Sequence, residues 1–148
     1  MMKGIISILI MILLVSCSSL NYKANPSIRR ECFDLLSVKI IVDMPEPIHF
    51  EIVNYEEGVI YKYVFNDGVI FFFEGSLMQF DIDTYIPQDS VHKKIYSIYY
   101  GEEHGKFWKK YIYDNVRLYY FDVNKKDKKK YDNIFNTIKI QKLYNKKL

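Results

Sequence analysis

Few side chains in this sequence have the types and spacing to do chemistry. Glu102, Glu103 and His104 stand together between Gly101 and Gly105, and an imidazole with two carboxylates is a donor set for a hard or borderline metal ion. Such a site needs further converging ligands. The sequence offers neither a His-x-x-x-His spacing nor a closely spaced cysteine pair to complete one. His49 falls on the polar side of a predicted strand and His92 in a predicted loop, so nothing ties the three histidines together. The cluster is therefore read as an exposed loop bounded by glycines. A little further on, Trp108, Lys109 and Tyr111 interleave aromatic and cationic side chains. With His104 they are the candidate ligand contacts, a platform for a sugar or an anion. The plainer reading makes Trp108 a core anchor while Lys109 points to water. No nucleophile elbow, phosphate-binding glycine loop or zinc motif occurs. No catalytic residue, metal or cofactor is assigned, although catalytic groups converge in space and not in sequence.

Asp81-Ile82-Asp83-Thr84 follows an apolar stretch and resembles the first motif of haloacid-dehalogenase-type phosphatases. That resemblance implies a nucleophilic first Asp and an acid/base second Asp. It covers four residues, and the family's fold needs repeated βαβ units that the sequence does not show. Met78, Phe80 and Ile82 alternate with Gln79, Asp81 and Asp83. This pattern predicts a strand with both carboxylates on its solvated face.

The elements that must position these residues are mostly strands. Asn25-Pro26 has the form of a helix start, and Ile28, Cys32, Leu35 and Leu36 recur at helical spacing. A short helix over about Pro26 to Leu36 is predicted, with Cys32 facing the core. Val38, Ile40 and Val42 alternate up to Met44-Pro45-Glu46-Pro47, where two prolines stop the run. Ile48, Phe50 and Ile52 alternate next. Two β-branched and aromatic runs between Val59 and Glu74 flank Asn66-Asp67-Gly68. With Asp67 and Gly68 as the loop they predict a hairpin in which Val64 opposes Phe71. Its two apolar faces place it in the sheet interior, covered on both sides. Ile86 to Lys94 reads as a loop and Ile95 to Tyr100 as a strand. A second hairpin turns about Asp114-Asn115, and a closing helix runs from about Lys125 to Gln141, with Tyr131, Ile134, Phe135 and Ile138 on one face. The predicted fold is α+β: an antiparallel sheet of about six to eight strands carrying terminal helices, with a small closed barrel and terminal helix as the alternative.

Near its start the sequence has Lys3, an apolar run from Ile5 to Val15 broken only by Ser7, and Leu14-Val15-Ser16-Cys17. This is the pattern of a secretory signal, and the run is shorter than the roughly 20 residues a membrane span requires. The four residues ending in Cys17 resemble the lipobox of bacterial lipoproteins. The resemblance implies a diacylglyceryl group on the Cys17 sulfur, cleavage after Ser16 and acylation of the new amino terminus. Residues 1–16 are then the signal peptide, 17–25 a lipidated tether and 26–148 a single α+β domain. If Cys17 carries lipid, Cys32 has no partner; if it does not, a Cys17–Cys32 bridge becomes available in an oxidising compartment. Ser18 after the cysteine resembles the signal for onward transport to an outer membrane in enteric-type bacteria.

Charge is unevenly placed. The whole chain has a net charge of +3, yet the residues from Lys125 onward hold nine Lys against Asp127 and Asp132. Lys125, Lys126, Lys128, Lys129 and Lys130 crowd the start of the closing helix, where its dipole disfavours cations. They are the candidate contact with anionic head groups or envelope polymers, with a merely solvated lysine face as the plainer reading. Nucleic acid is not an expected partner for an exported chain. The expected function is that of a lipid-anchored envelope lipoprotein presenting a small non-catalytic binding domain, with the membrane and a protein or glycan as partners. The alternatives are a surface hydrolase or hydrolase accessory acting on glycans near Trp108 and His104, or a barrel carrying an apolar ligand.

Overall fold

Period-two alternation governs most of the chain, and backbone pairing turns it into two antiparallel sheets. The computed structural model describes residues 27–75 and 79–143. The predicted signal, Cys17, the predicted tether and Pro26 lie outside the described residues. A three-stranded sheet is built from β1 (Arg29–Asp34), β2 (Val38–Met44) and β10 (Lys139–Lys142), in the order β1-β2-β10. A seven-stranded sheet contains β3 (His49–Tyr55), β4 (Gly58–Phe65), β5 (Gly68–Gly75), β6 (Asp89–His92), β7 (Ser97–Glu103), β8 (Lys106–Tyr113) and β9 (Val116–Val123), ordered β3-β4-β5-β9-β8-β7-β6. One helix, α1 (Lys128–Asn136), precedes β10. Among the described residues the fold is mostly β with a single short helix, so it is α+β only in a coarse sense. The barrel alternative is overturned, because among the described residues β3 and β6 remain unpaired edges at opposite ends of the large sheet.

The central hairpin explains the layering. Tyr63, Phe65, Ile70 and Phe72 point to one face of the large sheet, where Val38, Ile40, Val42 and Met44 of β2 and Tyr131 and Ile134 of α1 meet them. Ile60, Phe71 and Phe73 point to the other face and pack with Ile82, Trp108 and Tyr119. A strand pair buried on both sides has no polar face to alternate with, as its sequence predicts. Glu74 is buried against the turn between β1 and β2. It accepts from the Ser37 N–H at 2.8 Å and from the Ser37 hydroxyl, tying the small sheet to the large one.

Four expectations are corrected. Residues 29–34 form a strand rather than a helix: β1 pairs along β2, Phe33 stacks on Tyr61 at 4.4 Å, and Arg30 makes a bidentate pair with Asp43 opposite it. The helical spacing of Ile28, Cys32, Leu35 and Leu36 loses to these tertiary contacts, and Cys32 is exposed, not in the core. The closing helix starts at Lys128 and stops at Asn136. Thr137 then accepts from the Asp43 N–H at 2.9 Å, and Lys139–Lys142 complete the free edge of β2. Within 86–94 a short strand, β6, pairs with β7. Residues Asp81–Thr84 form a 3-10 turn, not a strand.

The hairpin is where expected, but its register differs by two residues. Phe65 pairs with Gly68 and Val64 with Val69, so Asn66 and Asp67 are the loop. Gly105 is the only described glycine with positive φ, so Gly68 is not needed for a left-handed turn. Its role is close approach: a Cβ there would lie 2.7 Å from Val123 Cγ2 and 2.8 Å from the ring of Tyr131. Tyr131 is fully buried and donates its hydroxyl to Asp67 at 2.7 Å, so it cannot swing aside cheaply. Gly68→Val is expected to cost roughly 1–3 kcal/mol as an overpacking change. Denaturant unfolding of the domain checks this, and an unchanged midpoint would show that the ring moves freely.

Candidate functional site

The seven-stranded sheet is wider than the three-stranded sheet that covers it. The small sheet and α1 lie over β4, β5 and β9. The same face of β7 and β8 runs on beyond the edge strand β10, and a groove opens there. Its cavity is about 420 Å³, lined by Tyr96, Ile98, Lys109, Tyr111 and Tyr113 from the sheet side and by Phe135, Asn136, Ile138 and Ile140 from the helix and β10. This lies within the range of about 300–1,000 Å³ usual for ligand sites. A second cavity of about 330 Å³, lined by Val91, Ile98, Tyr100, Lys109 and Lys128, adjoins it along β7. Tyr96 and Tyr111 stack with ring centroids 5.0 Å apart. Burial, with Tyr96 and Tyr113 beside it, pushes the Tyr111 hydroxyl pKa above its usual range, so it stays a neutral donor.

Alternation decides which predicted residues arrive. Lys109 and Tyr111 share the grooved face of β8, and Trp108 between them points to the opposite face. Trp108 is 2% exposed, packed edge-on to Tyr85 and opposite Gly101, where a Cβ would approach its ring to 3.1 Å. It is the core anchor of the plainer reading. His104 sits with Gly105 at the tip of the β7–β8 hairpin, both at positive φ, with its side chain 90% exposed. Paired positive φ angles are those of a type I′ turn. Glu103 lies 3.4 Å from the imidazole, and no group of three metal-binding side chains occurs among the described residues. The candidate platform is thus split: Lys109 and Tyr111 enter the groove, and Trp108 and His104 do not.

Asp132 organises the rim of the groove. It accepts from Lys109, from Lys128 at 2.7 Å and from the Tyr120 hydroxyl at 3.0 Å. Burial pulls its pKa upward, but the bonds from Lys109 and Lys128 outweigh that, and the net shift is down. Asp67 behaves alike, with Lys130 and Tyr131 outweighing its burial. A general acid needs the opposite, a carboxyl held protonated near neutral pH. The five basic residues also separate. Lys128 pairs with Asp132 and Lys130 with Asp67, whereas Lys125, Lys126 and Lys129 are exposed and bear the charge free to meet an anionic surface.

The phosphatase-like motif does not assemble. Asp81 is exposed, and the Thr84 hydroxyl donates to the Asp81 carbonyl at 2.7 Å. Asp83, expected on a solvated face, instead turns inward and accepts from Lys110 at 3.1 Å, Arg117 at 3.3 Å and Tyr119 at 2.9 Å. Every strand pair of both sheets is antiparallel.

Sequence reasoning missed Tyr96, Phe135 and Ile138 as groove residues, because the groove exists only where β10 ends the small sheet. The pairing of Lys128 with Asp132 was readable, since residues four apart are neighbours on a helix. Among the described residues no helix is long and apolar enough to cross a membrane. No family model matches the chain, and no curated protein or solved structure matches it.

Proposed function

We propose that this chain is a binding module of a bacterial cell envelope, held by lipid on Cys17, which takes its ligand in the groove between β7–β8 and α1–β10. The observation that supports it is the groove itself, where a sheet broader than its cover leaves an aromatic trough beside a cation. Against the hydrolase reading stands the separation of Trp108 from His104, together with buried carboxylates whose pKa values are driven down. The outer membrane is the proposed address, by the Ser18 rule. Lys125, Lys126 and Lys129 are the proposed contacts with anionic head groups.

The test is a stability screen of the soluble domain from Ser18 onward against envelope glycan fragments, peptides and small amphiphiles. A groove ligand at 100 times its Kd should raise unfolding stability by about 2.7 kcal/mol. Asn136→Trp, at an exposed rim position, should abolish that gain by filling the trough. A ligand that still stabilises the filled variant binds elsewhere, and turnover of the ligand would overturn the non-catalytic reading.

A further inference from the structure

Cationic groups outnumber anionic ones around the groove. Asp132 is shared by Lys109, Lys128 and Tyr120, so its acceptor positions are largely taken. It offsets one of the two ammonium charges. Each ammonium carries three N–H donors, and Lys128 keeps 37% and Lys109 20% of its side-chain surface exposed. The hydroxyls of Tyr96, Tyr111 and Tyr113 are bonded to no described residue. Asp132 reaches the groove only through these partners, and among the described residues no Asp or Glu lines either cavity. The site therefore has donors and net positive charge left over, and nothing anionic to meet them. Lys109 and Ile98 line both cavities, so the cationic pair stands at their junction, with apolar walls of Phe135 and Ile138 leading away.

We infer that the groove binds a single-chain amphiphile with an anionic head group, a carboxylate or a phosphate. The head is held by Lys109 and Lys128, and the chain lies along Ile98, Tyr111, Phe135 and Ile138. This rests on reading the groove as the ligand site. An uncharged head would leave the ammonium donors that Asp132 does not engage without a charged acceptor, and a cationic head would be repelled. Charge-assisted hydrogen bonds are about twice as strong as neutral ones, so the head group dominates selectivity and the chain supplies burial.

The test is calorimetric titration of the soluble domain with decanoate, decyl phosphate, decanol and decyltrimethylammonium, the ionic amphiphiles below their micelle concentrations and decanol below its solubility limit. Decanoate or decyl phosphate should bind about tenfold or more tightly than decanol, with decyltrimethylammonium weakest. Tighter binding of decanoate points to a fatty acid as the natural source, and tighter binding of decyl phosphate to a phospholipid. Lys128→Gln, at a half-exposed position that leaves Asp132 with Lys109 and Tyr120, should remove most of that preference while sparing decanol. Lys109→Gln should do the same. Equal binding of all four heads, still blocked by Asn136→Trp, would overturn the anion and leave the groove as a site. No binding of any amphiphile, with a ligand from the stability screen still held in the groove, would also overturn the inference alone. Decanoate binding that survives Asn136→Trp would overturn the inference and the groove reading together.

Discussion

Asp83→Ala is expected to destabilise the domain by roughly 2–4 kcal/mol at neutral pH, in keeping with the loss of one partner from a largely buried ionic network. Asp83 is 10% exposed, and Lys110 and Arg117 keep only 15% and 19%. The carboxylate also accepts from the Phe80 N–H at 2.9 Å, which holds the 3-10 turn against the second face of the large sheet. Its removal strands two cations and the Tyr119 hydroxyl. Arg117 lies over the rings of Phe73 and Phe80 at 4.8 and 5.8 Å, so reaching water would cost it those contacts. Burial raises the Asp83 pKa, but the bonds from Phe80, Lys110 and Tyr119 outweigh it and the net shift is downward. A carboxyl with a depressed folded pKa contributes stability that is present above the unfolded value, about 3.9. That contribution is lost as pH falls through the lower folded value. The gap between wild type and variant should therefore be full at pH 7 and close in acid. Urea unfolding across that range measures it. A loss under 1 kcal/mol at pH 7, or a gap that does not narrow in acid, would show that the network is not what holds the turn.

Cys17→Ser is expected to abolish fatty-acid labelling and to move the chain from the membrane fraction to the soluble fraction, or to stall it with residues 1–16 still attached. One acyl chain holds a membrane only marginally, whereas several anchor stably. Without them the described part of the chain has no helix able to span a bilayer. What remains is the basic surface. Lys125, Lys126 and Lys129 are exposed and contribute about 1 kcal/mol each near anionic lipid. Any residual attachment of the variant should thus wash off as salt rises and screening sets in. A Cys17→Ser protein that still labels with palmitate and pellets with membranes would exclude the lipobox reading.

The readable parts of the chain are those whose local pattern agrees with their surroundings. β2 and the β8–β9 hairpin are set by alternation and by turns that use Asp114 at positive φ. β1 was illegible because its inward residues, Arg29, Glu31 and Phe33, are mixed in polarity. The apolar residues around it happen to fit a helix, and only pairing with β2 decides. Gly68 misled the register because glycine signals a turn and a close approach alike, and only the position of Tyr131 distinguishes them. Asp83 looked solvated because its three partners come from β8 and β9, 27 to 36 residues away. Half of the candidate site was legible: Lys109 and Tyr111 were named for their chemistry, but the groove depends on how far the small sheet extends.

That small sheet also sets the order of events when the chain folds. β10 pairs with β2, so Ile140 meets Ile40 across 100 residues. Closing so long a loop costs about 4 kcal/mol in chain entropy before any contact repays it. Until residue 142 is available the hydrogen-bonding edge of β2 stays open, and the layer over Tyr63 and Phe72 is incomplete. Folding is then limited by arrival of residues 139–142, and contacts this distant in sequence form slowly. An exported chain, as proposed above, crosses a membrane as a thread and would gain from that delay. Residues 139–142 complete the small sheet, so the polypeptide stays open until they have left the ribosome.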